Sequence, residues 1–555
     1  MVLRIALGQS DFLRLRRDDA VYVDKTHFVS EVLTDLAQVL LFCRPRRFGK
    51  TLNMTTLRAF VERSDADVRP AFAGLAIEGA GDAVWRHFQG HPVIFLTFKD
   101  VKERHFGDAW KSIRRLIQAE AARLNRQHEL ALRPSLLDPT AEPGDMSYAL
   151  TELTEAIHRV VGDPPILLID EYDTPLHTAH VNGYFDEAID FFRPLYGAAL
   201  KDNAHMERAV LTGILRLAKE SVFSGLNNVA VHSVLSDRYA DAFGFTDAEV
   251  DRLSALAALS SEVREGLRRV YNGYRFGAFD IYNPWSVTSF LRSTTDELDP
   301  YWMNTADNTL IRELLVERGH AETTQIEVLL RGGSIEATID EHVTLRDVGK
   351  RPEQLWTFLL MAGYLRVDSV RRHDAERVAT LRVPNREVLE SLRSLVRREV
   401  DARPGGGADI ADALFRGDAE AFAALLQELL ERVLSYHDLG GRKAERVYQA
   451  FICGLLVTLE PTHRAESNRE AGFGRADVLV TPKRPGLPGV AMELKVATSD
   501  VEAALDAGLA QLRAKDYAAP LRAAGADPLR LVCAVFDGKH VAVKFELEPA
   551  PQPPP

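Results

Sequence analysis

Cysteine is scarce in this chain. Its 555 residues include 3, at Cys43, Cys453 and Cys533. They lie far apart, each in an apolar run, and no CxxC pair occurs. No zinc site can be built from them, and the expectation is buried free thiols in a reducing compartment. Long apolar runs are missing too. None approaches the roughly 20 residues that cross a bilayer. The opening stretch, MVLRIALGQSDFLRLRRDD, lacks the apolar centre of a signal peptide, so the expected location is the cytoplasm, with no membrane partner. An excess of positive charge is also lacking, because 68 Lys and Arg face 80 Asp and Glu, a formal net charge of −12. Whole-chain attraction to a phosphate backbone is thereby excluded, and a nucleic-acid partner would need a local basic patch. None of the 16 histidines falls in an HExxH pattern, and no Gly-x-Ser-x-Gly elbow appears.

What is present is globular: 46% hydrophobic and 27% charged residues, at a length that suggests two to four domains. Residues 1 to 235 alternate apolar strand-like runs with helical patterns. The runs are Val39 to Phe42, Pro92 to Phe98, Ile166 to Ile169 and Ala209 to Thr212. Such alternation predicts a mostly parallel α/β sheet with helices on both faces. Residues 236 to 402 read as a mainly helical region with aromatic turns such as Tyr271-Asn-Gly-Tyr-Arg-Phe-Gly277. Arg403-Pro-Gly-Gly-Gly407 reads as a linker. Residues 409 to 548 read as a helical lead-in and a second α/β domain. Residues 549 to 555 form a proline-rich tail expected to be disordered. No internal repeat is visible.

The first chemical constellation follows the first apolar run. Arg44-Pro-Arg-Arg-Phe-Gly-Lys-Thr51 ends like a phosphate-binding loop, with Gly49, Lys50 and Thr51 in its last three positions. A helix N-terminus would then face the phosphates, the lysine would reach them and the hydroxyl would meet Mg²⁺. Arg44 stands where that pattern has its first glycine, which is a departure. A second half supports the first. Ile166-Leu-Leu-Ile-Asp-Glu171 is an apolar strand ending in two acids, with Asp170 suited to the metal and Glu171 to the attacking water. A third strand ends in Thr212-Gly-Ile-Leu-Arg216. There Thr212 could sense a terminal phosphate and Arg216 could neutralise charge, or both could be ordinary turn and surface residues.

The second constellation lies near the C-terminus. Asp477 stands at one strand, and Glu493-Leu-Lys495 lies on the next. Strand alternation sends Glu493 and Lys495 to one face, with Met492 and Leu494 on the other. Asp477 and Glu493 can hold a divalent metal through oxygen, and Lys495 can position water or a scissile phosphate. A helix predicted from Ala444 to Leu456 carries Glu445. A later helix, from Val501 to Tyr517, carries Gln511 and Lys515. Arg464, Arg469, Arg475, Lys483 and Arg484 cluster nearby in sequence, either as a phosphate-binding patch or as solvated surface charge.

With these motifs in hand, the chain resembles bacterial and archaeal AAA-ATPase-like proteins fused to a C-terminal PD-(D/E)XK-superfamily nuclease domain. The carrying residues are Asp11-Phe-Leu-Arg-Leu-Arg16, Tyr22-Val-Asp-Lys-Thr26, Arg44 to Thr51, Leu168-Ile-Asp-Glu-Tyr-Asp173, Thr212 to Arg216 and Phe223 to Asn228. They continue with Tyr282-Asn-Pro-Trp-Ser286, Tyr301 to Thr305, Ser467 to Glu470, Gly474 to Asp477 and Glu493 to Lys495. The family's own loop reads Arg-Pro-Arg-Arg-Phe-Gly-Lys, which makes Arg44 a family feature. The resemblance implies ATP held by Arg46, Arg47, Phe48, Gly49, Lys50 and Thr51, with Tyr22 to Lys25 nearby. It also implies a nuclease core of Asp477, Glu493 and Lys495, with Glu445 as an additional acid, Glu470 as its competitor and Gln511 as a polar helix position. The implied cofactors are ATP and Mg²⁺, and the implied partner is nucleic acid, DNA ahead of RNA. A homo-oligomer is compatible with an arginine acting from a neighbouring subunit. The alternative reading is an ATPase switch whose C-terminal domain binds nucleic acid or protein without cutting.

Overall fold

The computed structural model describes residues 3–216, 228–293, 297–302, 325–326, 328–341, 351–374, 376–401, 407–433, 459, 462–471, 474–496, 500–537 and 540–548. The chain divides into two compact units, Met1–Leu310 with Ser334–Leu389, and Ile311–Gly333 with Glu390–Pro555.

The first unit is built on a five-stranded sheet. Its strands are β1 (Val39–Cys43), β2 (Val93–Thr97), β3 (Ile166–Asp170), β4 (Arg208–Gly213) and β5 (Val229–His232). All neighbours are parallel, in the order β2-β3-β4-β1-β5. β1 and β3 are buried at every residue, which is why they read as continuous apolar runs rather than alternating ones. Each fully buried leucine, isoleucine or phenylalanine of this kind contributes about 1.5–3 kcal/mol. The register pairs Phe42 with Thr212 and Thr97 with Asp170. The polar residues at these strand ends therefore gather at one edge of the sheet, where the loop after β1 also emerges. β5, four residues long and only partly buried, was not among the strands read from sequence.

The same unit continues through the mainly helical region, which also holds two small antiparallel sheets. One comprises β6 (Phe245–Thr246), β7 (Tyr274–Phe276) and β8 (Phe279–Tyr282). The other comprises β9 (Ser334–Ile339), β10 (Arg366–His373) and β11 (Glu376–Arg382). The helix Asp247–Leu256 starts with a capping box formed by Thr246 and Glu249, satisfying amide groups that the helix leaves open.

The second unit carries a mixed sheet in the order β12 (His463–Ala471), β13 (Gly474–Pro482), β14 (Gly489–Val496), β15 (Leu529–Asp537) and β16 (His540–Leu547). Only β14 and β15 are parallel. On one face, Met492 and Leu494 enter a core with Leu414, Phe422 and Leu426 from the helices Gly407–Arg416 and Ala419–Val433. On the other, Ala491 and Cys533 pack with Leu505, Leu509 and Leu512 from the helix Val501–Ala514. The strand alternation expected for Glu493 and Lys495 is thus realised, and both side chains lie on the face of that helix.

Candidate active sites

The loop after β1 explains the misplaced arginine. The left-handed residues in it are Arg47, at φ 70°, and Gly49, at φ 82°. Arg44 is not among them, so no glycine is needed there. Its amide donates to the Gly213 carbonyl, extending the β1–β4 ladder. Its side chain is fully buried and donates to the carbonyls of Cys43, His232 and Tyr239. The guanidinium also lies 5.0 Å from the ring of Phe243 and 5.2 Å from that of Phe276. Burial lowers its pKa to about 10. Arg44 is a packing residue whose charge faces the interior.

The phosphate-loop half of the pattern looks the other way. Gly49 precedes the helix Lys50–Val61 as its N-cap, and a side chain there would meet nothing within 4 Å. That open cradle belongs to a cavity of about 480 Å³, whose wall includes Arg46, Arg47, Phe48, Gly49, Lys50 and Thr51. The volume lies within the roughly 300–1,000 Å³ of small-molecule sites. Lys50 Nζ donates to the carbonyls of Arg44 and Pro45 at 3.1 and 3.0 Å. Burial lowers its pKa, while the charges of Glu171, Asp173 and Asp170 pull it back up. Phe48 contributes to the cavity, yet its ring is anchored on Tyr274 and Phe276. The Arg47 guanidinium stacks 4.2 Å above Trp285. Tyr22 and Lys25 also line the cavity, with the Lys25 ammonium tied to Glu249 at 2.8 Å.

Asp170 collects the hydroxyls at the sheet edge. Its Oδ2 accepts from Thr51 at 2.9 Å and from Thr97 at 3.1 Å, and its Oδ1 accepts from Thr212 at 2.6 Å. Burial raises its pKa and the charge of Glu171 adds to that, against the hydroxyls of Thr212 and Thr51 and the Lys50 charge. A buried carboxylate joined to the loop's Thr51 is chemically suited to a hard divalent cation. Glu171, at φ 52°, lines the cavity and accepts from Thr174 Oγ1 at 3.1 Å.

Thr212 and Arg216 are not among the described residues that line the cavity. Thr212 is buried, donates to Asp170 and receives the Glu171 amide at 3.3 Å. It orients both acids. Arg216 is half-buried. Sequence reasoning gave no role to Asp173, whose Oδ2 accepts the amides of Ile214 and Leu215 at 2.8 and 3.0 Å. A side chain at Gly213 would stand 2.6 Å from Tyr172 and 2.7 Å from Asp173. Thr212-Gly-Ile-Leu is therefore a clamp between β3 and β4. The signal was there to find: a third acid three residues after Asp170.

The second site is built from β13, β14 and the helix Val501–Ala514. The Leu494 amide donates to Asp477 Oδ2 at 2.8 Å, joining the two strands beside Glu493. Lys495 Nζ donates to Glu493 Oε1 at 2.7 Å and to Gln511 Oε1 at 2.9 Å. Gln511 Nε2 donates to the same Glu493 oxygen at 2.6 Å. Glu493 is 3% exposed, and a carboxylate so buried needs a charged partner. Burial pushes the neighbouring Cys533 thiol to about 12, with the Glu493 charge adding to it. Gly508 lets the helix come this close, because a side chain there would collide with Cys533 Sγ and lie 3.7 Å from Glu493 Cγ. Among the described residues no group of three or more His, Cys, Asp and Glu could hold a metal. Two carboxylates still suit Mg²⁺, which keeps several of its waters. Glu445 lies outside the described residues, as do the side chains of Arg469, Glu470 and Arg475.

The strand order and the loop after β1 are those of a P-loop NTPase, and the second unit is an α/β domain of the PD-(D/E)XK type. Comparison with known proteins agrees on both. Residues 6–223 match the family described as "Predicted AAA-ATPase", and residues 443–546 match the PD-(D/E)XK nuclease superfamily. An "Uncharacterized protein in vnfD 5'region" of Azotobacter chroococcum mcd 1 is 31% identical over 391 residues, spanning 70% of this chain and 69% of that protein. The chain belongs to the family of AAA-ATPase-like proteins that carry a C-terminal PD-(D/E)XK nuclease-superfamily domain. No helix among the described residues is long and apolar enough to cross a membrane.

Proposed function

We propose that this protein hydrolyses ATP in its first unit and cuts nucleic acid in its second, with cutting under ATP control. The observation that carries the nuclease half is the Glu493, Lys495 and Gln511 network beside Asp477. A binding module has no need of a buried glutamate held by a lysine and a glutamine. Asp477 and Glu493 would hold Mg²⁺, which when bound activates water and stabilises charge on a phosphodiester. Gln511 fixes the Glu493 carboxylate and the Lys495 ammonium together. Lys495 then presents its charge beside the metal carboxylate, where a scissile phosphate or its attacking water would stand.

In the first unit Lys50 and the amides of the loop hold the phosphates. Thr51 and Asp170 would hold Mg²⁺, which offsets phosphate charge. Glu171 orients the attacking water and takes its proton. The water oxygen bonds to the γ-phosphorus as the bridging oxygen departs with ADP. The expected substrate is DNA before RNA, the expected compartment the cytoplasm, and a homo-oligomer is compatible with the site. The domain reading is an ATPase region over 1–235, a helical region over 236–402 and a nuclease-type region over 409–548.

The test is a cutting assay with Mg²⁺, with and without ATP, on single- and double-stranded DNA and RNA. Cutting is expected to vanish in Glu493→Ala and to change in Lys50→Ala, whose ATP turnover should fall by at least about 100-fold. ATP turnover without cutting of any substrate would sink the nuclease reading in favour of a non-cutting switch.

A further inference from the structure

Besides Lys25, which is tied to Glu249, the cavity wall carries two lysines that the mechanism above does not use. β2 ends at Thr97, whose hydroxyl shares Asp170 Oδ2 with Thr51. The chain then turns sharply. The Phe98 amide donates to the Asp170 carbonyl, and the Val101 amide to the Phe98 carbonyl, each at 3.0 Å. Phe98 and Val101 are both buried. These two anchors, three residues apart, hold Lys99, Asp100 and Lys102 outward, and all three line the cavity that holds Lys50, Thr51 and Glu171.

Two residues of extended chain span at most about 7 Å, which bounds how far the Lys99 backbone lies from that of Thr97, whose hydroxyl binds the oxygen that Thr51 also binds. A lysine adds a flexible four-carbon stem with a compact charge at its end. Both lysines are exposed, and no ion pair among the described residues engages either one. Arg216, the cation expected for this task, is not among the described residues that line the cavity.

We propose that Lys99 and Lys102 meet the terminal phosphate of bound ATP, so that the neutralising charge comes from the loop after β2 of the same chain. The inference rests on the ATP reading of the cavity. ADP lacks the group these lysines would touch, so the loop distinguishes the two nucleotides. In the hydrolytic transition state charge spreads over the γ-phosphoryl oxygens, where two ammonium groups are worth more than in the ground state.

The experiment compares wild type, Lys99→Ala/Lys102→Ala, Lys99→Arg/Lys102→Arg and Lys50→Ala for ATP turnover and for ATP and ADP binding by calorimetry. In the double alanine variant kcat is expected to fall about 10- to 100-fold. Its preference for ATP over ADP should fall about 5-fold or more, with ADP affinity held within about twofold. The double arginine variant should recover most of both. Wild-type kcat and preference in the double alanine variant, with binding lost in Lys50→Ala, would overturn the inference and leave the ATP reading intact. Equal losses of ATP and ADP affinity would also overturn it, because the lysines would then not read the terminal phosphate. If wild type bound neither nucleotide, the ATP reading itself would fail and take the inference with it.

Discussion

At the scale of single residues, Arg44 shows how a motif departure becomes intelligible once its surroundings are known. A pattern that wants glycine at that position assumes a turn there, whereas this backbone turns at Arg47 and Gly49. The arginine is then available for another task, and it supplies donors to three carbonyls between β1, β5 and the segment around Tyr239. Restoring the pattern with Arg44→Gly is therefore expected to harm the protein. It leaves the carbonyls without their donor and opens a cavity under Phe243 and Phe276. We expect a loss of about 3–5 kcal/mol and no gain in nucleotide affinity. The 5 tryptophans, Trp85, Trp110, Trp285, Trp302 and Trp356, all fall in the first unit, so denaturant unfolding followed by their fluorescence reports on it alone. Unchanged stability with tighter ATP binding would refute this account of the loop.

At the scale of elements, the Glu493, Lys495 and Gln511 network of the second unit depends on how closely one helix approaches the sheet. Gly508 sits over Cys533, and one turn later Gln511 reaches Glu493. Gly508→Ala is expected to push the helix outward, costing about 1–3 kcal/mol by overpacking and lengthening the Gln511 contact. Cys533→Ala removes the sulfur that collides, so the double variant should recover much of that loss. A double-mutant cycle measured by hydrogen exchange in β14 and β15 would show a coupling of about 1 kcal/mol or more. Strict additivity would mean that the helix is not held at this contact. The elements also show what could be read in advance. β1 to β4 were legible because buried parallel strands are continuous apolar runs, and Glu493 and Lys495 were legible because strands alternate. The sheet of β9, β10 and β11 was not, because β10 reads Arg-Val-Asp-Ser-Val-Arg-Arg-His and is exposed along most of its length. No apolar face marks such a strand, and its arginines pair locally instead, Arg371 with Glu336 and Arg366 with Asp368. Gln511 could be placed on its helix from sequence, but only family resemblance singled it out as part of the site, since a glutamine in an amphipathic helix has no local signature.

At the scale of the whole molecule, the two candidate sites stand in two units that each have a core of their own. Control of one by the other is then a statement about linkage, and linkage is reciprocal. If ATP alters the affinity of the second unit for nucleic acid, nucleic acid must alter ATP affinity by the same factor. Glu493→Gln makes this measurable, because it preserves the shape of the network while removing the charge that would hold the metal, so the nucleic acid stays intact during titration. We expect DNA to change the ATP dissociation constant of this variant about 5-fold or more, a coupling of about 1 kcal/mol. ATP should change the DNA dissociation constant by an equal factor. Because the net charge of −12 makes DNA binding depend on a local patch, both titrations belong at one fixed salt concentration. A coupling factor within twofold of unity, with both ligands bound, would mean that the two units work independently, and ATP control of cutting would be refuted even if each half proved active.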